Sequence, residues 1–242
     1  MYWISVTLPI LYKDGKRVKT NVEKELEFES NLVLISLLLL YSILGGKLNV
    51  RLFLPRLNVR GSFEYIIVDG KYVRLLHGEK GVLLVAIGVS RDGKRAVLDI
   101  MLAKEEDRRS YWEFLVGLWR RYHVKLIVAD GVRALDSAIF SSGIRVIRQM
   151  CIVHLKRGMS REEREVVDEI VFLAEHGIQV DDKFGILGYL SAPREVWKWL
   201  RSNNLVESFN SLVERRRFGK FHSGYRILQI ALTIAVLYNL LK

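Results

Sequence analysis

The sequence predicts an α/β fold in which helices flank a mixed β-sheet. Two observations carry this prediction. Beyond about residue 61, three strand-like runs follow one another through short turns, and two more then alternate with stretches of helical periodicity. The 242 residues are 50% hydrophobic, so they can bury a substantial core as one large domain or as one domain with an appendage.

Residues 1–60 are predicted to form a small N-terminal α+β region to which the sequence assigns no role. A strand-like run at 2–12 is followed by a turn at Asp14-Gly15, a charged stretch and an apolar run at 32–44. At about 1.5 Å per residue, that apolar run is too short to cross a hydrocarbon core about 30 Å thick. We therefore interpret it as a buried helix.

A basic connector around Pro55 precedes the second region, which we place at 61–242. Its strands are predicted at 63–69 continuing to 76, 82–90, 95–103, 125–130 and 144–149. Its helices are predicted at 107–122, 132–141, 160–176, 203–217 and 223–241. Asp92-Gly93 lies between two strand-like runs and predicts a hairpin turn.

Three acidic residues occupy settings that suit metal-bound carboxylates. Asp69 and Asp130 each follow a short run rich in Val and Ile and precede a glycine, which is typical of a buried strand that reaches a polar edge. Glu207 lies in a stretch with helical spacing. Two strands and a helix can bring three carboxylates together, and Mg²⁺ requires such an oxygen-rich cluster.

Each carboxylate also has a simpler interpretation when it is taken alone. Asp69-Gly70 fits a two-residue hairpin turn, and Asp130-Gly131 can end a strand and cap the next helix. Glu207 can be a solvated helix residue, or part of a capping pattern that begins at Asn203 or Asn204.

Six motifs occur in order between about residues 65 and 239: VDGKYV, LLVAIGVSRDGKRAVLDIML, SYWEFLVGLW, VADG, QMCIVHLKR and NNLVESFNSLVERRR. The most distinctive are a C-x-x-H motif with a following arginine and an asparagine-flanked glutamate, which comprise Cys151, His154, Arg157, Asn204, Glu207 and Asn210. In this order the motifs resemble the Mutator-type DDE transposases of insertion sequences, whose catalytic domain is ribonuclease H-like.

This resemblance implies a ribonuclease H-like fold with a short helical insertion at about 155–202, before the catalytic glutamate. It implies that Asp69, Asp130 and Glu207 form a DDE triad that holds two Mg²⁺ or Mn²⁺ ions. The implied reaction is DNA strand cleavage followed by transfer of the 3′-hydroxyl strand. The implied partners are the two transposon ends and target DNA, with the protein acting as a homo-oligomer. We expect a cytoplasmic, nucleoid-associated protein without membrane association.

Charge and cysteine content agree with that expectation. The formal charge of +11 and the pI near 9.8 favour a polyanionic partner, either nucleic acid or a membrane surface. A single cysteine excludes an intrachain disulfide, as in a reducing cytoplasm. Basic residues after Glu207 are predicted to contact DNA phosphates, or else to form a solvated helix end; they are Arg215, Arg216, Arg217 and Lys220.

The C-x-x-H motif has ligand-like spacing, but structural zinc normally needs four ligands and no second cysteine exists. The resemblance implies instead a pair near the active site, and a buried thiol beside a hydrogen-bonded histidine is the third interpretation. Trp197 and Trp199 are predicted to pack in the core, although an exposed tryptophan could stack on an unpaired base. Six residues of helical spacing are also predicted to be core: Tyr111, Trp112, Phe114, Leu115, Leu118 and Trp119.

Two other functions remain open at this stage. A catalytically inactive or domesticated DNA-binding remnant would keep the fold without the reaction, and a ribonuclease H-like nuclease would cut without joining strands. Only 52 residues, 155–206, separate His154 from Glu207. We therefore expect the family's helical insertion in a reduced form.

Overall fold

The structure, a computed structural model, describes residues 3–7, 12–13, 16–17, 23–27, 52–53, 57, 59–216 and 223–240. Its N-terminal strands are β1 (Trp3–Thr7), β2 (Tyr12–Lys13), β3 (Lys16–Arg17), β4 (Glu23–Glu27) and β5 (Leu52–Phe53). Strand β1 lies between β4 and β5 and is antiparallel to both, whereas β2 and β3 pair with each other.

The strand-like run predicted at 2–12 is divided between β1 and β2, whereas β3, β4 and β5 were not predicted. The turn at Asp14-Gly15 and the apolar run at 32–44 lie outside the described residues. The division of the chain near residue 61, and the insertion at about 155–202, stay predictions.

The larger sheet has five strands: β6 (Tyr65–Arg74), β7 (Lys80–Val89), β8 (Arg95–Ala103), β9 (Leu126–Ala129) and β10 (Ile147–Met150). Their order across the sheet is β10-β9-β6-β7-β8. Strands β6, β7 and β8 form an antiparallel meander, and β9 and β10 add in parallel. This mixed sheet confirms the predicted fold class and is consistent with a ribonuclease H-like fold.

The described helices are α1 (Arg108–Tyr122), α2 (Arg133–Ser142), α3 (Ile152–Arg157), α4 (Arg161–Glu175), α5 (Trp197–Leu200), α6 (Asn204–Arg216) and α7 (Gly224–Leu240). The five predicted helices agree with the structure to within one residue at both ends. Local side chains explain two of these starts. Asp107 caps α1 by accepting a hydrogen bond from Ser110 N at 2.8 Å, and Ser160 forms a reciprocal capping box with Glu163 at the start of α4.

Helices cover both faces of the sheet, in which β6 is the central strand, and the apolar residues of its neighbour β7 are buried. One apolar cluster joins the sheet to α6 and α7 through Ile67, Val85, Val206, Phe209 and Ala231. The other joins the opposite face to α1 and α2 through Ile66, Leu84, Tyr111, Leu118 and Leu135. Because alternate residues of a strand face opposite sides, neighbouring residues of β6 and β7 belong to different clusters.

The prediction of core residues in α1 was wrong for two of the six. Trp112 and Trp119 are 41% and 39% exposed. At 100° per residue they lie on the flank of the apolar stripe, whereas the other four lie at its centre. Trp197 and Trp199 are partly buried and pack against the first cluster, as predicted. Within the described ranges, no helix is both long and apolar enough to cross a membrane.

The segment before α5 covers the edge of the sheet at β10. Met150 N donates to Gly185 O at 2.7 Å, and the side chain of Gln149 donates to Ile186 O at 2.8 Å while accepting from Tyr189 N at 3.0 Å. The first bond satisfies a backbone group that the edge strand would otherwise expose, and the two bonds of Gln149 satisfy backbone groups of the covering segment. They also attach the predicted insertion to the strand that leads into α3.

Candidate active site

Asp69 lies within β6, where it pairs with Val85 of β7. The strand continues without interruption to Arg74, so the alternative interpretation of Asp69-Gly70 as a hairpin turn was wrong. The neighbouring Asp92-Gly93 sequence does form a turn, in which Ser90 N donates to Lys94 O at 2.9 Å.

Asp69 lies in β6, and Asp130 directly follows β9, the parallel neighbour of β6. The last register pair of β6 and β9 is Ile67 with Val128, and each aspartate follows two residues later. Residues two apart on a strand face the same side, and paired strands lie about 4.8 Å apart. The register therefore brings both aspartates to the same end of the two strands, close enough for the charge of Asp130 to raise the pKa of Asp69, and the carboxylate of Asp69 faces α6, where Asn210 donates to it.

The main chain at Asp130 is held by Arg148 of β10. One guanidinium nitrogen of Arg148 donates to Ala129 O at 3.1 Å, another donates to Asp130 O, and a third donates to Asp136 of α2 at 2.8 Å. Val132, and not Asp130, is the N-cap residue of α2, and it makes no side-chain capping bond. The capping interpretation of Asp130 therefore finds no support, and Arg148 is a site neighbour that the sequence did not predict.

Two buried amides hold the carboxylate of Asp69. Asn203 Nδ2 donates to Oδ1 at 3.4 Å, and Asn210 Nδ2 donates to Oδ2 at 3.0 Å. Both asparagines are fully or almost fully buried. Asn204, which was predicted to lie near the site, has an exposed side chain, so its neighbour Asn203 takes that place.

The negative charge around Asp69 is concentrated. Burial raises the pKa of Asp69 first, and the charges of Asp130, Glu207 and Glu106 raise it further, to about 7. The hydrogen bond from Asn210 opposes this rise. Such a pKa is expected where buried carboxylates share one site.

Glu207 lies in the first turn of α6 and is partly exposed. Its Oε1 atom is 3.4 Å from Arg157 Nη2 and 3.5 Å from His154 Nε2. The fold thus brings Glu207 close enough to Asp69 to raise the pKa of Asp69, while the Arg157 guanidinium holds the Glu207 carboxylate.

The C-x-x-H motif lies between the carboxylates. Cys151 is fully buried, and its Sγ atom is 3.3 Å from both His154 Nδ1 and Asn203 Oδ1. In the described part of the chain, no three His, Cys, Asp or Glu side chains are arranged to hold a metal ion as they stand. The motif therefore offers no zinc site there, and Glu207 has not joined the two aspartates in this conformation.

The donor chemistry of the site nevertheless fits a hard divalent cation such as Mg²⁺. Carboxylate oxygens come from β6, from the end of β9 and from α6, and oxygen is the ligand atom that Mg²⁺ prefers. Asn210 Oδ1 is buried and has no hydrogen-bond partner among the described residues. An unpaired buried oxygen beside Asp69 can accept a hydrogen bond from water carried by such an ion.

Glu106, in the loop between β8 and α1, is a fourth carboxylate that sequence reasoning missed. It accepts a hydrogen bond from Tyr111 Oη at 2.7 Å. A side-chain Cβ at Gly70 would lie only 2.5 Å from Glu106 Oε1, so the glycine provides the space for this contact. In the sequence, the glycine directly after Asp69 was the feature that could have indicated a close neighbour at this position.

The predicted DNA-binding residues are only partly described. Arg215 lies in α6 with an exposed side chain, and Arg216 belongs to the same helix. Arg217 and Lys220 lie outside the described residues.

Comparison with known proteins identifies the family of the chain. Residues 47–172, more than half of the chain, match the family described as Transposase, Mutator family. The chain belongs to this family. The family predicted from the motifs is therefore confirmed.

Individual relatives are more distant. The chain is 25% identical over 201 residues to the transposase for insertion sequence element IS905 of Lactococcus lactis subsp. lactis, which covers 69% of the chain and 51% of that protein. It is 25% identical over 193 residues to the transposase for ISRM5 of Rhizobium meliloti, and this match covers 64% of the chain and 48% of that protein. It is 25% identical over 198 residues to the transposase for IS256 in Tn4001 of Staphylococcus aureus, and this match covers 66% of the chain and 50% of that protein. The chain spans about half the length of these curated relatives.

Proposed function

We propose that this chain is the catalytic part of a DNA transposase, with Asp69, Asp130 and Glu207 as its metal-binding carboxylates. The observation that carries the proposal is the register of β6 and β9, which sets two aspartates side by side within a cluster of negative charge. Membership of the Mutator family of transposases supports the proposal that the reaction is cleavage and transfer of DNA strands.

Two Mg²⁺ or Mn²⁺ ions, when bound, would activate the attacking oxygen and stabilise the leaving oxygen of a phosphodiester. The chain contributes position and charge. Asp69 is restrained through both of its oxygens by Asn203 and Asn210, so its carboxylate does not rotate freely. Burial makes the clustered negative charge costly, which favours binding of a cation in place of protons.

DNA is the proposed substrate because the chain is strongly basic. A formal charge of +11 favours phosphate contacts, which position a duplex without reading its sequence. Arg215 projects from the same helix as Glu207 and is exposed. Two transposon ends must be processed together, so we propose that the protein acts as a homo-oligomer on DNA.

A nicking assay on supercoiled plasmid tests this function without knowledge of the transposon ends. The parent protein should nick and join DNA only when Mg²⁺ or Mn²⁺ is present, and Asp69→Ala should abolish both activities while keeping DNA binding. Replacing the exposed Asp181 with Ala is the matched control and should leave nicking unchanged. Nicking by Asp69→Ala at the parent rate would refute the triad. Nicking without joined products would indicate a nuclease.

An inactive DNA-binding protein is the second candidate. It is favoured by the contact of Glu207 with Arg157, which holds that carboxylate in the described conformation. On this alternative, the parent would bind DNA and show no metal-dependent change in it. The same assay therefore separates the two candidates.

A further inference from the structure

We infer that Arg157 positions both Asp69 and Glu207, through a hydrogen-bonded chain that runs along the C-x-x-H motif. This inference rests on the proposed function, since it assigns a task to residues around the same carboxylates. One guanidinium nitrogen of Arg157 lies 3.4 Å from Glu207 Oε1. Another lies 2.8 Å from His154 Nε2 and begins a path to Asp69.

The path has four links. Arg157 Nη1 contacts His154 Nε2 at 2.8 Å, and His154 Nδ1 contacts Cys151 Sγ at 3.3 Å. Cys151 Sγ contacts Asn203 Oδ1 at 3.3 Å, and Asn203 Nδ2 contacts Asp69 Oδ1 at 3.4 Å. Asn203 N also donates to Cys151 Sγ at 3.4 Å, so thiol and asparagine are joined twice.

The chemistry of the groups gives every link the same direction. A guanidinium can only donate, so His154 Nε2 accepts and the ring proton resides on Nδ1. That N–H donates to Cys151 Sγ, and the thiol proton is then free to donate to Asn203 Oδ1. The amide of Asn203 donates onward to Asp69, which accepts when it is ionised. Hydrogen bonds aligned in one direction polarise and strengthen one another.

Helical spacing explains how one short segment reaches both carboxylates. Cys151 precedes α3, and His154 and Arg157 follow at intervals of three residues, so the three side chains lie along one side of that helix. Asp69 comes from β6 and Glu207 from α6, so neither element alone sets the distance between them. Arg157 contacts Glu207 at one end of the hydrogen-bonded chain, and Asn203 contacts Asp69 at the other end. The chain therefore restrains the position of each carboxylate relative to the other.

Burial makes the middle of the chain hard to replace. Cys151 and Asn203 are both 0% exposed, so water cannot readily substitute for either partner. Breaking their link leaves a buried amide oxygen unpaired, which is costly. The thiol is thereby used as a hydrogen-bonding group of the site, and the C-x-x-H motif acts as a positioning device and not as a zinc site.

The test measures Mn²⁺ binding to the full chain by electron paramagnetic resonance. Cys151→Ala removes the central link, and we expect affinity to fall about 10-fold, the lower end of the loss seen when a direct partner of a metal ligand is removed, because Cys151 acts on Asp69 through Asn203. Cys151→Ser keeps a donor and an acceptor and should bind within about threefold of the parent. Arg157→Gln should weaken binding like Cys151→Ala. The matched control is Asn204→Ala, an exposed neighbour of Asn203, which should bind like the parent.

A purely structural role predicts a different result. The unfolding midpoint would then fall for Cys151→Ala while the Mn²⁺ affinity of the folded protein stayed unchanged. The inference is overturned if Cys151→Ala binds Mn²⁺ as tightly as the parent, or if Cys151→Ser binds as weakly as Cys151→Ala.

A double-mutant cycle keeps the inference separate from the proposed function. If the parent binds no Mn²⁺, or if Asp69→Asn binds it equally well, the proposed metal site fails. Unfolding midpoints of Cys151→Ala, Asp69→Asn and the double variant, measured in EDTA, then decide the positioning role. Cys151 and Asp69 share no direct contact, so non-additive changes in the unfolding midpoint would mean that they are coupled through Asn203. Additive changes in the midpoint would overturn the positioning role.

Discussion

Replacing Asp69 with Asn should stabilise the metal-free protein, and the gain should grow as the pH rises. In the folded chain, burial and the neighbouring carboxylates raise the pKa of Asp69 from the ordinary value of 3.8 to about 7. Between these two values the folded state holds a proton that the unfolded state has released. Stability therefore falls as the pH rises through this window, and the full penalty applies above pH 7.

The size of the effect follows from the difference between the two pKa values. A difference of about 3 pH units, at about 1.36 kcal/mol per unit, corresponds to about 4 kcal/mol of lost stability at pH 8. At pH 5 the same relation gives a loss of stability of about 1.7 kcal/mol. An Asn at this position cannot accept from both Asn203 and Asn210, so one hydrogen bond is lost at a cost of about 1 kcal/mol.

The net gain for Asp69→Asn is thus about 3 kcal/mol at pH 8 and below about 1 kcal/mol at pH 5. For a chain of this size, about 3 kcal/mol corresponds to a rise in Tm of about 6–12 °C. Thermal unfolding of parent and variant in EDTA, followed by circular dichroism at both pH values, measures it. Asp181→Asn, at an exposed position, controls for the chemical change.

Two results would refute this reasoning. One is a variant no more stable than the parent at pH 8, and the other is an equal gain at pH 5 and pH 8. Adding Mg²⁺ or Mn²⁺ at pH 8 should raise the Tm of the parent more than that of the variant, because a bound cation offsets the repulsion and stabilises the folded state.

Two further changes test contacts away from the carboxylate pair. Gly70→Ala should destabilise the fold by about 1 kcal/mol, since the new Cβ would lie 2.5 Å from Glu106 Oε1 and displace that carboxylate from its hydrogen bond with Tyr111. Gly117→Ala in α1 meets no atom within 4 Å and should stabilise the fold by about 0.5–1 kcal/mol. Urea unfolding of both variants checks this, and equal effects would contradict the contact. Asn239→Ala should lower the free energy of unfolding by about 1–3 kcal/mol, because Asn239 accepts from Val97 N at 2.7 Å and donates to Val97 O at 2.9 Å. Val97 lies in the edge strand β8, at an irregularity in its pairing with β7. Faster amide exchange at Val97 would locate the loss, and unchanged exchange would contradict it.

Most elements of the second region could be read from local pattern, but the short helices α3 and α5 were not predicted, because six and four residues are too few to show a helical period. Apolar periodicity and capping residues act within a few positions, so the five predicted helices agree with the structure to within one residue at each end. The order of the motifs likewise indicated the family, which the comparison confirms.

The turn preference of Asp69-Gly70 suggested a local structure that the pairing of β6 with distant strands overrides. Asp69-Gly70 has the composition of a hairpin turn, yet β6 pairs with β7 over ten residues and with β9 on its other side. Those ladders bury Ile66, Ile67 and Val68 completely, and a turn at Asp69 would break them. The preference of one dipeptide is small beside that buried surface.

The partners of the carboxylates depended on angles and distances that no linear pattern contains. Asn203 and Asn204 are adjacent, but one is buried against Asp69 and the other is exposed, because one step at a helix start rotates a side chain by about 100°. Glu106 stands 37 residues after Asp69 (106 − 69) and reaches the site because β6, β7 and β8 fold into a meander.

By itself, the sequence determined the class of fold, the family, and the three carboxylates that merit testing, because periodicity and motif order are properties of the chain. The tertiary structure alone decided which groups surround those carboxylates. It set Asp69 beside Asp130 through strand register, raised the pKa of Asp69 through burial, and joined Asp69 to Glu207 through Arg157. Burial and directed hydrogen bonds exist only after distant segments have packed together.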